Sequence, residues 1–193
     1  LSKMYPVEHM IPDDLDLVRR MARDSADTID HIYLHWTAGH YGQCYDDYHI
    51  CIDADGSIYI MCDSFEDVLA HTWQRNRFAV GIALCCCADA TCSGDIDLGS
   101  EPPTAEQIES LAQVVAVLAD EYSLPLDCDD YVMTHEEAAE LDGYGYYQTC
   151  ERWDLLVLPD YYGARGELVK GGDLIRGKAA FYQRTWRDEN TGD

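Results

Sequence analysis

Apolar runs of strand length alternate with helical patterns along this chain, and that alternation restricts the fold more than any other feature. His31 to Trp36 has strand character, with Ile32, Tyr33 and Leu34 ahead of His35 near its C-terminal end. Tyr48 to Ile52 and Ser57 to Met61 flank Asp53-Ala54-Asp55-Gly56, a strong hairpin signal, and Ala79 to Cys86 is a further apolar run. Thr104 and Gln107 form a capping-box pattern before Ile108, Leu111, Val115, Leu118 and Tyr122, which share one helical face that Leu124-Pro125 closes. Pro12, Asp13 and Asp14 open a shorter amphipathic helix through Leu15, Val18 and Met21, ending near Ser25. Tyr131 to Thr134 is a short strand, Glu136 to Leu141 a helical piece, 142–147 a loop, and Leu174 to Tyr182 a last helix after Gly171-Gly172. Strands interleaved with helices predict an α/β fold, a single-domain mixed β-sheet flanked by helices.

At 193 residues the chain fits one domain, 1–193, and can bury roughly 70% of its unfolded surface. No apolar stretch reaches membrane-spanning length, and Leu1-Ser2-Lys3-Met4-Tyr5-Pro6 lacks the pattern of a signal peptide. The expectation is synthesis in the cytoplasm and no membrane insertion. Thirty-seven acidic against 13 basic residues give a formal charge of −24, which argues against nucleic acid as a partner. The acidic runs read as solvated loops and faces. Of nine cysteines three are consecutive at 85–87, and because neighbours on a strand point to opposite faces that run does not read as a simple disulfide ladder. Cys87 and Cys92 have metal-like spacing without a second close pair, so reduced thiols acting as small hydrophobes are the expectation.

Three segments far apart carry the chemistry: His35 in Leu34-His35-Trp36-Thr37-Ala38-Gly39, His135 in Thr134-His135-Glu136, and Asp154 in Arg152-Trp153-Asp154. Two imidazoles and one carboxylate form an established ligand set for catalytic zinc, with the fourth position left to water. A lone histidine at a strand end is more often structural, and the surrounding wording lifts His35 out of that class.

With Tyr48-His49-Ile50-Cys51-Ile52-Asp53, Ala70-His71-Thr72-Trp73 and Val80-Gly81-Ile82-Ala83-Leu84, these segments resemble the zinc-dependent N-acetylmuramoyl-L-alanine amidases over residues 32–155. That family includes phage endolysins, bacterial cell-wall amidases and peptidoglycan recognition proteins. Residues 156–193 are a C-terminal extension whose wording around Gly171-Gly172 resembles, more weakly, the tail of prophage amidases.

The resemblance implies the peptidoglycan recognition protein-like fold and one Zn2+ per chain on His35, His135 and Asp154. It implies oxyanion stabilisation by Tyr48 and Arg152, and substrate contacts from His71, Thr37 and Trp73. Its implied reaction is hydrolysis of the amide between N-acetylmuramic acid and L-alanine, as a phage or prophage endolysin released to the wall through a holin. A muropeptide-recycling amidase, a secreted antibacterial amidase and a non-catalytic recognition module are the alternatives. Several cell-wall members have a glutamate base where this chain has Ala83; Glu136 is the nearest acidic stand-in by sequence, with helix N-terminal electrostatics the better reading of it. His49, facing away from Tyr48 on a strand, reads as structural.

Overall fold

A computed structural model describes residues 1–149 and 151–192. Cys150 and Asp193 lie outside the described residues. Nine strands and four α-helices follow one another: β1 (Met4–Pro6), α1 (Leu15–Asp24), β2 (His31–Trp36), β3 (Gln43–Tyr45), β4 (Ile50–Ile52), β5 (Ile58–Ile60), β6 (Ala79–Leu84), α2 (Ala105–Glu121), β7 (Val132–Thr134), α3 (His135–Asp142), β8 (Val157–Asp160), β9 (Glu167–Lys170) and α4 (Gly171–Thr191). A five-stranded mixed sheet has the order β5-β4-β6-β2-β7, antiparallel only at the β4–β5 hairpin. β1 pairs with β3, and β8 with β9, in two small antiparallel ribbons. This is the mixed α/β class that the alternation predicts.

The period of two divides the sheet residues by face. Ile32, Leu34 and Trp36 of β2, Val80, Ile82 and Leu84 of β6 and Ile50 and Ile52 of β4 join Ile108, Leu111, Val115 and Leu118 of α2 in the main core. On the other face β6 carries only Ala79, Gly81 and Ala83. That small-residue row leaves room above the sheet, and the His71 ring fills it: a Cβ on Gly81 would lie 2.5 Å from its Cγ.

Local signals placed α2 well. Thr104 accepts from Gln107 N–H at 3.0 Å, the Gln107 side chain accepts from Thr104 N–H at 3.0 Å, and the same amide donates to the carbonyls of Ile52 and Cys85. The helix start is thereby fastened to the ends of β4 and β6. α1 begins later than Pro12 suggests, because Asp14 is the cap and accepts from Leu17 N–H at 2.8 Å.

The main departure from expectation is α4, which begins at Gly171 rather than Leu174 and runs to Thr191. The two glycines read as a breaker from sequence, yet packing requires them. A Cβ on Gly171 would lie 2.1 Å from the Leu155 carbonyl oxygen, and one on Gly172 would lie 2.4 Å from Glu137 Oε1. Close approach lets Arg176 reach Glu137 with two bonds of 2.7 and 2.8 Å, while the guanidinium also donates to the Val132 carbonyl. Glu137 in turn accepts from Thr134 N–H, completing the capping box of α3. The buried pair therefore fixes the backbone step at which His135 leaves β7.

Two outcomes follow. Removing one partner of a buried pair strands the other, so Arg176→Met should lower the urea unfolding free energy by about 3–5 kcal/mol. The charge of −24 opposes compaction through self-repulsion that salt screens. The melting temperature should rise by at least about 5 °C between 0.1 and 2 M KCl; an unchanged or lower value would contradict this reading of the acidic surface.

Candidate metal centre

β2 lies between β6 and β7, parallel to both, with Leu34 opposite Thr134. The next residue of the chain is a histidine in each case, His35 still within β2 and His135 opening α3, so the two imidazoles come side by side. Asp154 comes from the segment after the glycine-tyrosine loop, and three contacts seat it. Trp153 packs edge-on against Trp36, with ring centroids 4.8 Å apart. Glu136 N–H donates to the Asp154 carbonyl at 3.3 Å. Leu155, fully buried, turns the chain with φ of 59°, a left-handed conformation rare for a bulky residue and characteristic of over-determined sites.

The result is a triangle of ligand-class atoms. His35 Nδ1 and His135 Nδ1 are 3.1 Å apart, and Asp154 Oδ2 lies 3.3 Å from His135 Nδ1 and 3.4 Å from His35 Nδ1. Tetrahedral zinc with bonds of about 2.0–2.1 Å separates its ligand atoms by about 3.3 Å. The donor set and its spacing fit that ion.

Each imidazole is held by its other nitrogen, as metal-bound histidines require. His35 Nε2 lies 3.3 Å from Thr72 Oγ1, and Thr72 Oγ1 is 2.8 Å from His71 Nδ1. His135 Nε2 lies 3.4 Å from the Tyr144 hydroxyl. When both Nδ1 atoms present lone pairs to a cation, each Nε2 carries a proton for its hydroxyl. Thr72 and Tyr144 were missed by sequence reasoning. The signals were present only as the threonine after His71 and one tyrosine among several in the loop. Tyr144 also packs edge-on against Trp73, and the loop is anchored by Arg75, which grips Asp142 at 2.7 and 2.9 Å.

Burial drives the His35 pKa down to about 4, the bond to Asp154 opposing only partly. Burial alone would raise the Asp154 carboxyl, but its bonds to His135 and His35 hold it well below the usual carboxylate range. His71 is also pushed down, first by burial and then by the neighbouring histidines. These shifts keep two imidazoles neutral and the carboxylate ionised at neutral pH.

A cleft of about 320 Å³ opens over the triangle, and Thr37, Tyr48, His71, Arg152 and Asp47 line it with His135 and Asp154. Tyr48 sits in the bend before β4 rather than in the strand expected from residue 48 onward, its ring 5.2 Å from that of His35. Burial raises its phenol pKa, with Asp154 adding to the shift, so the group remains a proton-bearing donor. Arg152 is exposed at the cleft mouth. Trp73 is 59% exposed and packs on Tyr144 without lining the cleft, whereas His71 lines it and is 6% exposed beside His35.

His49 accepts from Gly81 N–H through Nδ1 and meets the Asp67 carbonyl through Nε2, a structural role. Glu136 does not join the cleft; it lines a separate groove with Glu140 and Leu156, where burial raises its pKa to about 7. Ala83 is fully buried between Cys51 and His35 in the sheet register.

Two ring nitrogens and one carboxylate under an open cleft form a donor set that could hold a metal ion beside a substrate. The sequence profile of the N-acetylmuramoyl-L-alanine amidases matches residues 25–151, and the chain belongs to that family. The match takes in His35 and His135 and stops before Asp154. Similar solved structures include the N-acetylmuramoyl-L-alanine amidase endolysin LysCS from Clostridium intestinale URNW, at 21% identity and a TM-score of 0.42, covering 56% of this chain and 70% of that one. The Ph2119 endolysin of Thermus scotoductus MAT2119 bacteriophage Ph2119 is similar at 18% identity and a TM-score of 0.43, covering 56% and 72%. No curated protein matches the chain.

The depressed histidines set a pH dependence. A histidine whose folded pKa lies below its unfolded value of about 6.5 gives stability that is complete above that pH and lost as pH falls toward the folded value. With metal chelated and 1 M KCl screening the acidic surface, urea stability should fall by at least about 2 kcal/mol between pH 7 and pH 4.5. A flat profile would mean that His35, His49 and His71 are protonated in the fold. Thr72→Val and Tyr144→Phe should each weaken zinc retention about 10–100-fold, measured by competition with a chromogenic chelator.

Proposed function

We propose that this chain is a zinc-dependent amidase that cleaves the bond between the lactyl group of N-acetylmuramic acid and the L-alanine of the peptidoglycan stem peptide. The observation that carries the reading is the triangle of His35 Nδ1, His135 Nδ1 and Asp154 Oδ2, with edges of 3.1 to 3.4 Å, in a chain of the amidase family. Zinc held there supplies a Lewis acid that acidifies water and polarises the scissile carbonyl.

The chain's own groups do the rest. Tyr48, kept protonated by burial, donates a hydrogen bond toward the oxygen that gains charge as the carbonyl becomes tetrahedral. Arg152 at the cleft mouth supplies a permanent positive charge to the same oxygen and cannot itself give up a proton. Thr37 on the cleft wall offers a hydroxyl to the glycopeptide, and the exposed Trp73, packed on Tyr144, offers an aromatic face beyond the cleft lining. His71 borders the substrate cleft and, through Thr72, holds His35. With Ala83 in place of a strand glutamate and Glu136 outside the cleft, the side chains supporting hydrolysis here are the ligand trio, Tyr48 and Arg152.

The family setting supports action on the bacterial wall, and an endolysin role is the biological reading we favour. Among the described residues no helix is long and apolar enough to cross a membrane.

Purified protein should contain about one zinc per chain and release stem peptides beginning at L-alanine from muropeptides. His135→Ala should lose both metal and activity. Tyr48→Phe and Arg152→Ala should keep the metal and lower kcat about 10²–10³-fold. Muropeptide binding without release by the zinc-loaded protein would instead identify a recognition module.

A further inference from the structure

Three cysteines distant in sequence meet on the face of the sheet that carries the zinc-class triangle. Cys44 comes from β3, Cys51 from β4, and Cys85 follows the end of β6. All three are free thiols with no exposed surface. The Sγ atoms of Cys44 and Cys85 are 3.8 Å apart, and all three sulfurs lie within 4.8 Å of one another. Cys51 and Ala83 are register partners, as are Ala83 and His35, so the thiols and the histidine site share one face, two strands apart.

Isolated cysteines pack as small hydrophobes, whereas here three sulfurs from separate elements converge in one apolar pocket walled by Tyr5, Val7, Met10, Tyr48, Tyr59 and Met61.

We propose that Cys44, Cys51 and Cys85 form a binding site for one monovalent thiophilic metal ion, with Cu(I) as its occupant. Three sulfurs around one ion in a plane, at about 2.3 Å, stand about 4 Å apart, within the range seen here. A closed structural zinc site needs a fourth protein ligand, and the group contains no imidazole or carboxylate among the described residues. Thiolate sets select Cu(I) when geometry does not demand four ligands. Binding forms three Cu–S bonds in place of three S–H bonds and releases one proton for each thiol that ligates; no electrons move. The ion ties β3 to β4 and β6. It thereby stiffens the segment between β3 and β4 that carries Tyr48, whose side chain packs on this cluster. This inference does not depend on the amidase reading.

The test is a titration of the full reduced chain with Cu(I), without oxygen, in competition with bicinchoninate. One ion per chain should be withheld, protons released on binding, and the melting temperature raised. X-ray absorption at the copper edge should show three sulfur neighbours. Cys44→Ser, Cys51→Ser and Cys85→Ser should each weaken retention more than about 100-fold, beyond the loss expected for a merely supporting partner. His135→Ala and Cys128→Ser should not. If the variants fail to fold, the wild-type absorption spectrum decides alone. Nitrogen or oxygen neighbours, fewer than three sulfurs, retention unchanged in all three variants, or displacement by equimolar zinc would each overturn the site.

Discussion

The parallel pairing of β2 with β7 is the constraint on which the rest of the molecule depends. It places Leu34 beside Thr134, and the next residue after each puts two imidazoles side by side although a hundred residues separate them. A slip of one residue would send His135 to the helix-packed face, because the side-chain period of a strand is two. Two sets of contacts protect the register. Ile32 and Leu34 are locked in the core against α2, and Thr134 is capped by Glu137, which is held by Arg176 from α4. The C-terminal helix lies outside the cleft yet determines how its second histidine is presented.

Around that register the molecule separates stiffness from chemistry. The helix-packed face is mainly apolar and carries most of the burial energy, while the opposite face is lined with small residues on β6 that leave space for imidazole rings. His71 fills the space that Gly81 leaves, and His49 accepts from the Gly81 N–H. Their burial keeps them neutral, so that the ionised group beside the two ligand imidazoles is the Asp154 carboxylate. Hydroxyls on Thr72 and Tyr144 then dictate which nitrogen of each ring faces inward.

What could be read from the sequence was local, and what could not was set by packing. β2, the β4–β5 hairpin and α2 were legible because period-two alternation, a turn signal and a capping box each act within a few residues. The same locality misplaced the start of α4: Gly171-Gly172 has the composition of a break, and only the proximity of the Leu155 carbonyl and Glu137 reveals why no Cβ fits. Tyr48 was assigned to a strand by its neighbours' β propensity, but the chain bends there before β4 begins. The histidine pair was legible through its wording. Thr72 and Tyr144 were not, since their importance depends on which imidazole nitrogen points where. The sulfur cluster was invisible for a related reason: Cys44, Cys51 and Cys85 become neighbours only through the sheet order and the fold of β3 over it.

The central claim is that one metal ion sits within the triangle of His35 Nδ1, His135 Nδ1 and Asp154 Oδ2. Anomalous diffraction at the zinc edge from crystals grown without added metal tests it most directly. The account predicts a single strong peak about 2.0–2.2 Å from each of those three atoms. A peak bonded through either Nε2, one that leaves Asp154 out, or no peak in protein that cleaves muropeptides would contradict it.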